Sequence, residues 1–173
     1  MKRVPMAVAV ALFSAAFVAS AQTAGPNDAQ IAAIVVTANQ VDIDAGKVAQ
    51  TRGSKHDIQV FGKQMVSDHT GVNKSATDLV KKLKVTPQDN DTSKAIAKGQ
   101  ADKRAELAKL DGKAFDKAYA DNEVAYHKTV NGALESTLIP SSNNGELKSL
   151  LETGLKIFQG HQQHAEHVAA DIK

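Results

Sequence analysis

The chain has no cysteine and no tryptophan, only four prolines, and aromatic residues make up just 4% of its 173 positions. Without cysteine there is no disulfide, no thiolate nucleophile and no thiolate metal ligand. Scarce aromatics and the lack of a basic stripe argue against nucleic-acid binding, and a generic electrostatic membrane anchor has as little support. Charge of one sign is missing too. Setting aside Lys2 and Arg3 leaves 19 basic residues against 19 acidic ones. Beyond the N-terminus the longest apolar stretch is Ile31 to Val36, far short of a membrane span, so no transmembrane segment is expected in the mature chain.

The N-terminus is the exception to this even composition. Lys2 and Arg3 precede an apolar run from Met6 to Val18, and Ala19-Ser20-Ala21 follows as a cleavage motif. This is the pattern of a secretory signal peptide over residues 1–21. It predicts a mature chain starting at Gln22, a short segment over 22–27, and one domain over 28–172. Export, most simply to a bacterial periplasm, is the expected location. A lipoprotein anchor is not expected, since it requires a cysteine behind the signal. About 150 mature residues are enough to bury a substantial core.

Apolar residues then recur at helical spacing. Asn27 or Asp28 can cap a first helix carrying Ile31, Ile34, Val35, Ala38, Val41, Ala45 and Ala49. Ser54 and Asp57 resemble a capping box for a second helix, with Ile58, Phe61, Met65, Val72, Ala76 and Leu83 on its stripe and Thr86-Pro87 at its end. The Ala- and Lys-rich stretch 91–110 has sparse apolar positions and reads as a partly exposed crossover helix. Asp111-Gly112 interrupts it before a third main helix with Phe115, Tyr119, Val130 and Leu134. Pro140 to Gly145 reads as a loop, and a fourth helix carries Leu147, Leu151, Leu155, Phe158, Ala165 and Val168. No strand alternation or internal repeat interrupts this all-α pattern.

Near the middle of each apolar stripe lies an ionisable side chain: Asp42, His69, the pair Glu123 and His127, and His161. A buried charge costs several kcal/mol unless it is paired, hydrogen-bonded or bound to a metal. Folding helices one and two about residues 52–55 sets Asp42 opposite His69, and folding helices three and four about 140–145 sets His127 opposite His161. A rise of about 1.5 Å per residue means that small register errors do not separate them. Two readings follow with equal weight. The residues form a carboxylate/imidazole site for a divalent transition metal, with Zn, Fe, Cu and Ni all suited, or they form a hydrogen-bonded network that fixes register.

The fourth helix also carries His164 and His167 at three-residue spacing from His161, with Glu166 beside them. His161 lies on the core stripe, His164 on its flank as a further candidate ligand, and His167 on the wet side. His56, Asp44, Lys47 and the run Lys81, Lys82, Lys84 read as solvated positions. Asp68 and His69 are adjacent and cannot both hold the centre of one stripe. There is no nucleophile motif, glycine-rich phosphate loop or HExxH, and no catalytic residue is assigned.

Several phrases occur in an order that resembles a known family: Val41-Asp42-Ile43-Asp44-Ala45-Gly46-Lys47, Phe61-Gly62-Lys63-Gln64-Met65-Val66-Ser67-Asp68-His69, Phe115-Asp116-Lys117-Ala118-Tyr119, Tyr126-His127 and Leu155 to His161. They resemble a family of bacterial exported proteins with a domain of unknown function, often labelled predicted outer-membrane proteins. The resemblance spans residues 28–172. It implies a ferritin-like antiparallel four-helix bundle with an extra crossover helix, and a periplasmic location. It implies no activity. That family typically has Glu where this chain has Asp42, which shortens one prospective ligand. The Glu-x-x-His of di-iron carboxylate proteins is absent, because Glu123 and His127 are four apart, so ferroxidase chemistry is disfavoured.

The leading expectation is a periplasmic binding or stress-associated protein with a metal held by Asp42, His69, His127 and His161, and Glu123 as a fifth ligand or supporting partner. The alternative is a non-catalytic interaction module whose exposed helical faces recruit a protein partner. A metal-dependent enzyme ranks third, since the sequence shows no open substrate cleft.

Overall fold

The computed structural model describes residues 25–172. The expected signal peptide, its cleavage site and the new N-terminus at Gln22 lie outside those residues. Among the described residues the secondary structure is entirely helical: α1 (Asp28–Arg52), α2 (His56–Lys82), α3 (Asp91–Leu107), α4 (Gly112–Ala133), a π-helical turn (Leu134–Leu138), α5 (Ile139–Ser141) and α6 (Gly145–Ala170). None of the described helices is long and apolar enough to cross a membrane.

Helix α1 starts at a reciprocal cap. Asn27 Oδ1 accepts from Gln30 N at 2.9 Å, and Gln30 Oε1 accepts from Asn27 N at 3.0 Å. From Ile31 to Val35 every residue is buried, because α3 lies across the face that a plain hairpin would leave wet. Helix α3 itself buries only Ser93 and Leu107, in keeping with a crossover helix held by a few contacts. Helices α1 and α2 approach closely through small residues. A Cβ placed on Gly62 would lie 2.7 Å from the Gly46 carbonyl oxygen and 2.8 Å from the Ala49 Cβ.

Three boundaries differ from the sequence expectation. The Ser54–Asp57 capping box does not form: α2 starts after Lys55 without a local side-chain cap. The buried Asp116 of α4 caps it from across the structure, accepting from Ser54 N at 2.8 Å, Ser54 Oγ at 2.5 Å and Lys55 N at 2.9 Å. Helix α2 ends at Lys82, ahead of Thr86-Pro87. Lys84 takes a left-handed φ of 56° and Val85 N donates back to Val80 O at 2.9 Å, a Schellman-type stop. The loop expected from Pro140 shrinks to Ser142–Asn144, since the α4 path continues through the π turn to Ser141. Proline lacks an N–H and crowds the carbonyl four residues back, and a widened turn just before Pro140 relieves both problems.

The apolar interior divides into two clusters with a polar layer between them. Helix α1 passes from Ile31 and Ile34 in one cluster, through Asn39 and Asp42, to Ala45 and Ala49 in the other. Helix α6 runs the same way, from Leu151 and Phe158 through His161 to Ala165. Helices α2 and α4 run back, from Met65 through His69 to Val72 and from Tyr119 through Glu123 and His127 to Leu134 of the π turn. Helices α1 and α2 pack together, as do α4 and α6, and α2 against α6 and α1 against α4 join the two pairs.

Candidate metal centre

In the polar layer, α1 contributes Asp42, α2 contributes His69, α4 contributes Glu123 and His127, and α6 contributes His161, all buried. The two residues on α4 are four apart and share one face, which is why a single helix can offer both. Donor atoms of His69, His127 and His161 lie within 4.8 Å of one another, and so do those of Asp42, Glu123 and His127. Asp42 Oδ2 is 2.7 Å from His69 Nε2 and 3.4 Å from His127 Nε2, while Glu123 Oε2 is 3.6 Å from His127 Nδ1.

Each imidazole is held by its far nitrogen. His127 Nδ1 lies 3.0 Å from the Glu123 carbonyl oxygen; a carbonyl only accepts, so Nδ1 carries hydrogen. Asn39 donates its amide to Val35 O at 2.8 Å, which turns Oδ1 towards His69 Nδ1 at 2.7 Å as an acceptor. His161 Nε2 donates to Asp68 Oδ2 at 2.9 Å. The other three nitrogens, His69 Nε2, His127 Nε2 and His161 Nδ1, are buried without a hydrogen-bond partner, and so are both oxygens of Asp42 and of Glu123. The short Asp42–His69 contact is at ion-pair distance but lacks the alignment of a hydrogen bond.

Burial sets the protonation of the layer. It lowers His127 to about 4, helped by the neighbouring His69 and His161, against the pull of Asp42. It lowers His161 as well, opposed by the Asp68 hydrogen bond. Burial alone would raise Asp42, but the charge of His69 at ion-pair distance, then the charge of His127, hold it below the ordinary carboxylate range. Glu123 is pushed well up, first by burial and then by the Asp42 charge. Without a cation these shifts favour the neutral forms of His127, His161 and Glu123 and the ionised form of Asp42.

His164 does not join this group. Its Nδ1 is 2.9 Å from Gln64 Oε1, and its ring meets Phe61 edge-on at 4.9 Å, so it packs at the flank of α6 with α2. His167 is solvated, its side chain 76% exposed beside Asp171. Sequence reasoning missed Asn39, three residues before Asp42 on the same face and findable by that spacing. It set Asp68 aside beside His69, whereas its partner is on α6. The Tyr119 hydroxyl is buried without a partner, and burial first, then the nearby carboxyl groups of Glu123 and Asp42, push it well above its ordinary value.

Three imidazole nitrogens and two carboxylates, each imidazole oriented by an outer partner, make up a group that could hold a transition-metal ion. Residues 13–168 match the family described as Domain of unknown function (DUF4142). The chain belongs to that family. No curated protein and no solved structure matches it. The DUF4142 match takes in all five inward-facing residues and both side chains, Asn39 and Asp68, that orient them. The family carries no activity with it, so the chemistry rests on the polar layer itself.

Proposed function

We propose that this chain is an exported ferritin-like four-helix protein that binds one divalent transition metal in its core. Asp42, His69, His127 and His161 are the ligands, and Glu123 is a fifth. The observation that carries this reading is the convergence of unpartnered donors. Two donors about 2.0–2.1 Å from one tetrahedral or octahedral ion sit about 2.9–3.4 Å apart. The Asp42–His69 and Asp42–His127 separations of 2.7 and 3.4 Å bracket that range. A bound cation would give each of these five side chains a partner for a donor atom that otherwise lacks one.

The helix order supports a ferritin-like arrangement: α1 and α2 form one antiparallel pair, α4 and α6 the other, with α3 crossing between them. The N-terminal signal pattern supports export and a periplasmic site of action. The role is binding; the donor set contains no assigned catalytic group.

The test is metal content by mass spectrometry on untagged protein purified without chelators, beside His69→Ala and His161→Ala. Near-stoichiometric metal in the parent, lost in both variants, is the expected result. A folded parent without metal, whose variants differ only in stability, would sink the proposal and leave the polar layer as a register device in an interaction module.

A further inference from the structure

A second feature lies beside the polar layer. Where α1, α2, α3, α4, the π turn and α6 diverge, they leave a cavity of about 640 Å³. Its walls include Ile34, Val72, Ile96, Leu134, Leu151 and Phe158, one or more from most of the surrounding elements. Small residues make the room: Ala38 and Gly154 stand where larger side chains would fill it, and a Cβ on Gly154 would meet only the Phe158 ring, at an ordinary 3.5 Å. The volume falls within the usual range of about 300–1,000 Å³ for small-molecule sites, which are mainly apolar with a few polar groups.

The polar groups of this cavity narrow the ligand. Among the described residues no lysine, arginine or histidine lines it, and the one charged residue is Asp91, at the start of α3. An anionic head group such as a carboxylate would find no counter-charge and one repulsive neighbour. The Asn90 side chain is already engaged, accepting from Thr92 N and Ser93 N and donating to the Gln30 and Gln88 carbonyls, so Thr92 and Gln30 offer the uncharged polar atoms at that end. Asn39 and Phe158 form the opposite wall, and both touch His69: Asn39 holds its Nδ1, and Phe158 stacks on its ring at 4.7 Å and 7°.

We infer that this cavity binds a neutral, largely apolar small molecule with an uncharged polar end, such as a long-chain alcohol. Its apolar body lies along Ile34, Val72 and Leu151, and its polar end faces Gln30 and Thr92. The site stands apart from the metal reading, since none of the five proposed ligands lines the cavity.

The test uses the chain from Gln22, so that the apolar N-terminal run cannot compete, both as purified and after chelator treatment. The probe is the neutral dye N-phenyl-1-naphthylamine, displaced with 1-decanol or with decanoate. The absence of tryptophan leaves the dye signal clean. Saturable one-to-one binding is expected, equal with and without chelator, and displaced by decanol at least tenfold better than by decanoate. Gly154→Leu and Ala38→Leu should each weaken the dye at least tenfold while melting no lower than the parent. No saturable binding, or binding unaffected by either filled variant in its folded form, overturns the site. Decanoate competing as well as decanol overturns the ligand class. Persistence of dye binding in chelated protein separates this outcome from any failure of the metal proposal.

Discussion

Asn39 Oδ1 lies 2.7 Å from His69 Nδ1, and the Asn39 amide nitrogen is bound to the Val35 carbonyl, so the amide cannot turn and the imidazole must present Nε2 inwards. His161 is set by Asp68 in the same way from the opposite side. Such outer partners typically account for about 10–100-fold in metal affinity. Asn39→Ala and Asp68→Asn should each weaken the bound metal by about that factor in a chelator competition, with helical content retained. Affinity equal to the parent in both variants would show that these contacts do not orient ligands.

Glu123 gives the metal-free protein a pH dependence of known sign. Its folded pKa is raised above the ordinary 4.5, so above that pH the unfolded chain loses a proton that the folded one keeps. Stability then falls as pH rises, by up to about 1.4 kcal/mol per unit, until Glu123 ionises in the fold. His127 acts oppositely: its folded value of about 4 lies below the ordinary 6.5, so its contribution is present above 6.5 and lost as pH falls towards 4. Glu123→Gln removes the first effect alone. Metal-free Glu123→Gln should melt higher than the parent at about pH 8, the gap closing towards about pH 4.5. A constant gap across thermal melts would contradict the protonated Glu123.

The same proton links the site to metal. A carboxylate must ionise to ligate, so metal uptake releases the Glu123 proton and affinity should rise with pH. Calorimetry in buffers of different ionisation enthalpy would measure about one proton released from Glu123 per ion. No release from the parent, or an equal release from Glu123→Gln, would remove Glu123 from the ligand set.

The close approach of α1 and α2 makes two glycines of α2 respond in opposite ways. At Gly62 a methyl group would press on the Gly46 carbonyl oxygen at 2.7 Å, whereas at Gly71 nothing lies within 4 Å. Gly62→Ala should cost about 2–3 kcal/mol or more, because backbone cannot give way as a side chain can. Gly71→Ala should add up to about 1 kcal/mol through helix propensity. Denaturant melts showing the two changes alike would refute the packing.

Asp116 ties the start of α2 to α4 through three hydrogen bonds to its carboxylate. Asp116→Ala leaves the Ser54 and Lys55 amides without a partner and should cost about 3 kcal/mol, while leaving metal stoichiometry unchanged. A loss below about 0.5 kcal/mol would mean that water replaces the cap.

The existence of each main helix was legible in the sequence, because helical periodicity and a cap at Asn27 or Asp28 are local. The shared depth of Asp42, His69, His127 and His161 was legible for the same reason: a constant rise per residue turns hairpin arithmetic into distance. Their rotation about each helix axis was not, and rotation decides which neighbours meet. It turned His164 towards Gln64, brought Asp68 to His161 across two helices, and placed Asn39 behind His69. Caps supplied from a distance and turns widened to suit a proline were likewise hidden. Asp116 replaced a plausible local box at Ser54, and the π turn carried α4 past the point where Pro140 signalled a loop. Local chemistry determined that these residues form helices with polar centres; only the packing of one helix on another decided which lone pairs face one another.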